Sequence, residues 1–318
     1  MKVKAIIVIA LILMAAAGFA ADAAFNKGIG YAKKGIYGAA IDQFTEAIGT
    51  NPANADIYIK RGSVYVAQNA YDKAVRDFDK AIELAPRSAE AYAGRANAYF
   101  LKTDIEEAIS DSTKAIWLNP MLAEAYSVRG RCYMMKLEHD KAVSDYSNAI
   151  KADPNNASYY EMLAVIYGNA GNFEKAMESC NKAIAMDPDN AHEYLTRGMV
   201  YSRNSKHDEA IADFNKAIEM APDNALAYDY RAAACIKKGD FEQAIADCDK
   251  ALSIADEKAK AKIYGTRAYA HFFKKEYQKS WYDVHKAEAI GAANNINSMF
   301  FLSKNFIEEL RKASGRNE

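Results

Sequence analysis

The sequence predicts an all-α protein, a solenoid of stacked helix-turn-helix units, on three periodic observations. All six prolines, Pro52, Pro86, Pro120, Pro154, Pro188 and Pro222, recur 34 residues apart. A proline inside a helix loses a hydrogen bond and costs about 3 kcal/mol, so each marks where a helix must stop. A column of small residues reads Gly28, Gly62, Ala96, Gly130, Ala164, Gly198, Ala232 and Ala268. A second column is alanine throughout: Ala47, Ala81, Ala115, Ala149, Ala183, Ala217, Ala251 and Ala287. Self-similarity at one such period marks a stacked repeat, in which each unit covers its neighbour's apolar face.

Residues 1–20 read as a secretory signal, with Lys2 and Lys4 ahead of an apolar run from Ala5 to Ala17 and a small-residue exit at Gly18, Phe19 and Ala20. Cleavage is expected after Ala20, with a second candidate after Ala23; the alternative is an uncleaved anchor. The run is short for a membrane span, which needs about 20 apolar residues. Without Lys2 and Lys4 the chain carries 39 basic against 42 acidic residues, a formal charge of −3 with no extended run of one sign. Such a surface is a poor match for nucleic acid.

Residues 21–294 divide into eight copies, starting near Ala21, Ala55, Ala89, Ala123, Ala157, Ala191, Ala225 and Ala261, with Asp256 replacing the proline and a two-residue insertion before the last. Two residues after each proline stands a helix N-cap, Asn54, Ser88, Asn156, Asn190 or Asn224, with Leu122 the exception. The first helix of a copy then carries a tyrosine, a small residue and a second tyrosine at i, i+4 and i+7, as in Tyr92, Ala96 and Tyr99. A short turn such as Gly171-Asn172-Phe173 leads to the second helix, whose alanines let neighbouring helices approach closely. Residues 295–318 read as a capping helix and a short polar tail, with Met299, Phe300, Leu302, Phe306, Ile307 and Leu310 on the apolar face of Asn297 to Ala313.

These spacings, together with a following aromatic such as Phe44, Phe78, Tyr146 or Phe214, resemble the tetratricopeptide repeat. The resemblance implies a right-handed superhelix whose concave groove is lined mainly by the first helix of each pair. It also implies a comparison with the family's carboxylate clamp, which needs Lys and Asn on consecutive copies of the inner face. Phe25 and Ile29, Ile59 and Ser63, and Ala93 and Asn97 stand there instead. Capture of a peptide's terminal carboxylate is therefore not expected.

One covariation goes beyond the common pattern. Before the small column stand Arg61, Arg95, Arg129, Arg197, Arg231 and Arg267, and sixteen residues later Asp77, Asp111, Asp145, Asp213, Asp247 and Asp283. The copies without the arginine lack the aspartate, since Lys27 goes with Gln43 and Leu163 with Ser179. The offset predicts an ion pair between the two helices of a hairpin, with a ligand site of arginines as the sharper alternative.

No motif for catalysis, metal or cofactor emerges. His139, His192, His207, His271 and His285 form no metal-ligand pair, and Cys132, Cys180, Cys235 and Cys248 lack a CxxC, a Cys235–Cys248 bridge being the one pairing left open. Thirteen of the 21 tyrosines belong to the repeat's own two columns, which assigns them to packing before any ligand. The remaining stripe of the first helix reads Asn97, Phe100 and Leu101; Arg131, Met134 and Met135; Val165 and Asn169; then Met199 and Arg203. An apolar stripe with flexible methionines and a polar rim suits an extended peptide or amphipathic helix. The alternative is that these residues pack between successive first helices. The expected function is a non-catalytic scaffold, exported to the periplasm or beyond, that binds a protein in its groove. A membrane-tethered adaptor of a secretion, cell-wall or polysaccharide machine, inner-membrane anchored and facing the periplasm, is the second reading and an enzyme a remote third. End-to-end self-association stays open, because the first copy begins almost at the cleavage point.

Overall fold

The computed structural model describes residues 21–294 and 302–315, so the signal and the start of the expected capping segment, Asn297 to Phe300, lie outside the described residues. Two compact units divide the chain after Tyr159. The first holds α1 (residues 21–33), α2 (Tyr37–Thr50), α3 (Ala55–Ala67), α4 (Tyr71–Leu84), α5 (Ala89–Lys102), α6 (Ile105–Leu118), α7 (Ala123–Met135) and α8 (His139–Ala152), and ends within α9 (Ala157–Asn169). The second continues from α9 through α10 (Phe173–Met186), α11 (Ala191–Arg203), α12 (His207–Met220), α13 (Ala225–Lys238), α14 (Phe241–Ile254), α15 (Glu257–Phe273), α16 (Tyr277–Ala293) and α17 (Lys304–Ser314). Odd-numbered helices up to α15 are first helices of a hairpin and the following even-numbered ones are second helices. No strand occurs among the described residues.

The helix ends follow local chemistry. Each proline sits just past a second helix, as Pro86 does after α4. Asn54, Ser88, Asn190 and Asn224 accept backbone N–H bonds at the next first helix, and Leu122 caps nothing. The tyrosine of that helix reaches back to the same turn, where Tyr58 and Tyr194 each donate their hydroxyl to the proline carbonyl at 3.1 Å. Within every hairpin the turn holds one left-handed residue, Gly35, Asn69, Thr103, Leu137, Gly171, Ser205, Gly239 or Lys275. Only three are glycine, so the register of the pair, and not glycine alone, forces the turn.

The expected arginine–aspartate pair is present in all six copies. In each, Nε and Nη2 of the arginine bind both carboxylate oxygens, as for Arg129 and Asp145 at 2.9 and 2.8 Å. The aspartates are 7% exposed or less. The arginine does more than the sequence indicated. Its Nη1 donates to the second helix of the preceding copy, at Thr45, Asp79, Thr113, Asn181, Asn215 or Asp249. One guanidinium thus holds its own hairpin and the next one back. The tyrosines flank it, with Tyr126 and Tyr133 at 5.9 and 6.0 Å from Arg129. Tyr126 and Tyr133 are half-buried braces of the charged clip, whereas Tyr58 and Tyr228 flank Arg61 and Arg231 from within the apolar core. Where the clip is missing, Leu163 is buried and Ser179 donates to the Lys175 carbonyl, leaving no stranded charge.

A second pairing at the same offset governs the small column. Glycine stands opposite an aromatic ring (Gly28–Phe44, Gly62–Phe78, Gly130–Tyr146, Gly198–Phe214), and alanine opposite a smaller side chain (Ala96–Ser112, Ala164–Cys180, Ala232–Cys248, Ala268–Val284). A Cβ added at Gly198 would lie 2.5 Å from the Phe214 ring. The four cysteines are buried and free, so Cys235 and Cys248 form no bridge. At the C-terminal end Phe306 and Leu310 of α17, with Leu302 before it, pack on Trp281, Val284 and Ala287.

Candidate functional site

Within each unit successive first helices touch one another, α3 on α5 and α5 on α7, then α11 on α13 and α13 on α15, while no comparable packing joins successive second helices among the described residues. Closer spacing on one side curves each unit with its first helices inside. The electrostatics agree. Glu124 of α7 is open to solvent, yet surrounding protein pushes its carboxyl above the ordinary value against the pull of Arg131 and Lys60, as expected on the wall of a hollow.

The predicted stripe lies partly free and partly committed. In the first unit Arg131 donates to Asn97 Oδ1 at 2.7 Å and stacks 4.3 Å above the Phe100 ring. These three residues tie α5 to α7, which makes them packing between first helices. Leu101 and Met135, equivalent positions one copy apart, stay 37% and 53% exposed, with Met134 half-buried beside them. In the second unit Arg203 donates to Asn169, and Val165 and Met199 are half-buried.

The sequence reading missed a polar motif on the inner face of the second unit that occurs twice, two copies apart. Glu161 of α9 meets His192 Nε2 at 2.9 Å and Thr196 Oγ1 at 3.4 Å, both from α11. Asp229 of α13 meets Lys262 Nζ at 2.8 Å and Thr266 Oγ1 at 2.7 Å, both from α15. A signal was there: in the column of Ile59, Ala93, Ser127 and Leu195, only Glu161 and Asp229 are charged. Contact with Glu161 raises the His192 imidazole. Burial would lower the Lys262 ammonium, but Asp229 carries it above its ordinary value.

Beside the first motif, Glu193 is 2% exposed, and burial with Glu161 nearby pushes its carboxyl up to about 7. The folded chain then keeps a proton that the unfolded chain loses above its ordinary value of 4.5. Stability should therefore fall as pH rises from that value to about 7 and level off above it. Glu193→Gln is expected to stabilise by on the order of 2 kcal/mol at pH 8 and to change little at pH 4, read from urea midpoints at both. An equal shift at the two pH values would contradict the assignment.

No group of three or more His, Cys, Asp or Glu side chains is arranged to hold a metal among the described residues, and no described helix is long and apolar enough to cross a membrane. Residues 62–103 match a family model described as TPR repeat, and residues 123–156, 157–190 and 195–260 match models described as tetratricopeptide repeat, together more than half of the chain. No curated protein matches it. Among solved structures, a tetratricopeptide repeat protein from Parabacteroides merdae is 20% identical over 79% of this chain and 98% of its own, with a TM-score of 0.61. Pseudomonas aeruginosa PilF is 17% identical over 68% of this chain and 99% of its own, with a TM-score of 0.59. The Cut9-Hcn1 assembly of the APC/C gives a TM-score of 0.68 at 18% identity over 87% of this chain, which spans 52% of that one. These likenesses concern the fold.

Proposed function

Because the chain belongs to the tetratricopeptide repeat family, we propose that it is a non-catalytic scaffold of the bacterial cell envelope that binds a segment of another protein along its first helices. The observation that carries this reading is the pair Leu101 and Met135. Their neighbours Asn97, Phe100 and Arg131 are spent on joining α5 to α7, whereas these two apolar side chains stay in water at equivalent points of consecutive inner helices. Exposed apolar groups in register on a hollow face suit the apolar side of an extended peptide or helix. Export rests on residues 1–20, and the N-terminal sequence of the protein isolated from the envelope separates a cleaved form from a tethered assembly factor.

The test is retention of native envelope proteins by the immobilised chain and by its Leu101→Glu, Met135→Glu variant. Loss of a defined set with the variant is expected. Identical sets would place binding elsewhere.

A further inference from the structure

The second tyrosine of the repeat, Tyr31, Tyr65, Tyr99, Tyr133, Tyr167 or Tyr201, is present in six copies. Its ring occupies a defined slot. Tyr65 lies 5.8 Å from the Arg61 guanidinium and 5.6 Å from Lys73 Nζ, eight residues on, and Tyr133 lies 6.0 Å from Arg129 and 5.2 Å from Lys141 Nζ. The seventh copy has Cys235 in this place and the eighth His271. Replacing a phenol by a thiol empties the slot without removing its walls. A crevice of about 710 Å³ opens there, lined by Cys235, Arg231 and Gln243, the counterparts of the tyrosine, arginine and lysine, and by Asn215, Lys238 and Asp240. In the eighth copy, where an imidazole gives back part of a ring, the equivalent crevice beside Arg267, His271 and Lys279 is smaller, about 450 Å³.

The walls are fixed and chemically suited to a ring. Arg231 is held by both oxygens of Asp247 and by Asn215, so its guanidinium cannot swing into the space. Tyr228 lies 5.6 Å from it, the first-tyrosine contact seen in the other copies. Burial pushes the Cys235 thiol up to about 11, which keeps it neutral and makes it a soft apolar floor. Gln243 donates to Asp247 at 2.9 Å, and its amide oxygen can accept from a phenol hydroxyl.

We propose that this crevice receives a tyrosine side chain from a partner polypeptide, which enters where the chain's own tyrosine is missing and stacks against Arg231. The site lies at the α13–α14 turn of the second unit, shares no residue with the Leu101 and Met135 positions of the first, and stands whether or not the inner face is where the main partner binds.

The probe is N-acetyl-tyrosinamide, titrated into the isotopically labelled full chain and followed by amide and side-chain resonances of Arg231, Cys235 and Gln243. Saturable shifts are expected, with N-acetyl-leucinamide at least tenfold weaker. Cys235→Tyr, which restores the pattern of the six other copies, and Cys235→Met, which fills the slot flexibly, should each weaken the probe at least tenfold, while Leu101→Glu, Met135→Glu leaves it unchanged. Absence of saturable shifts, equal response to the leucine probe, or undiminished binding in whichever filling variant folds would overturn the proposal.

Discussion

Arg129→Ala and Asp145→Ala are each expected to lower the free energy of unfolding by about 3–5 kcal/mol, because the first strands a buried carboxylate and the second a partly buried guanidinium. Loss of Arg129 leaves the Asp145 carboxylate, 3% exposed, without its two donors. It also frees Thr113 on the preceding copy and the two tyrosines that flank the guanidinium. Loss of Asp145 leaves the guanidinium tied only to Thr113. The double variant should lose roughly 2–3 kcal/mol less than the sum of the singles, as contacting residues in one network do. Arg129→Leu with Asp145→Ser copies the arrangement that the fifth repeat already uses at Leu163 and Ser179, and should be tolerated better than either alanine single. Urea unfolding of the set checks this, and strict additivity would show that the pair is a surface ornament.

The second large effect is a reversal of sign. Gly198→Ala should destabilise the native chain by about 1–3 kcal/mol, since the new methyl would sit 2.5 Å from a Phe214 ring that is fully buried. In a Phe214→Cys background the same change recreates the Ala164–Cys180 and Ala232–Cys248 pairs. There it should stabilise by up to about 1 kcal/mol, because the clash is gone and alanine is the better helix former. Phe214→Cys alone should cost about 2–5 kcal/mol through the cavity it leaves beside Gly198. Equal effects of Gly198→Ala in the two backgrounds would mean that the ring moves aside and that glycine is not set by the residue opposite.

Internal repetition decides which of these features the sequence displays. Arginine and aspartate are chemically narrow choices, and their joint loss at Leu163 and Ser179 exposed the pair without any relative to compare. The backward bond of each arginine was hidden, because Thr45, Asp79, Thr113, Asn181, Asn215 and Asp249 share only a side-chain oxygen and no common residue type. The glycine–aromatic alternation could be read from the same columns, but only if size, and not charge, is followed across the hairpin.

The proposed binding face was less legible for a physical reason. A helix pattern tells which residues leave the core stripe but not which of them bond to the next copy, so Asn97 and Arg131 looked free until their 2.7 Å contact placed them between helices. Glu161 and Asp229 escaped notice from the other direction. Each stands in a column that other copies fill with apolar or small residues, and only the fold brings His192 with Thr196, or Lys262 with Thr266, to meet it.

On the proposed function, stability and binding occupy different faces of the same first helices, the clips on one and the open apolar positions on the other. The most direct measurement determines both properties on one protein, the Leu101→Glu, Met135→Glu variant: its urea midpoint and its retention of envelope partners. A free energy of unfolding within about 0.5 kcal/mol of the parent is expected, as for surface substitutions, together with loss of the retained set. An unchanged set on a folded variant, or a collapse of stability, would contradict this reading.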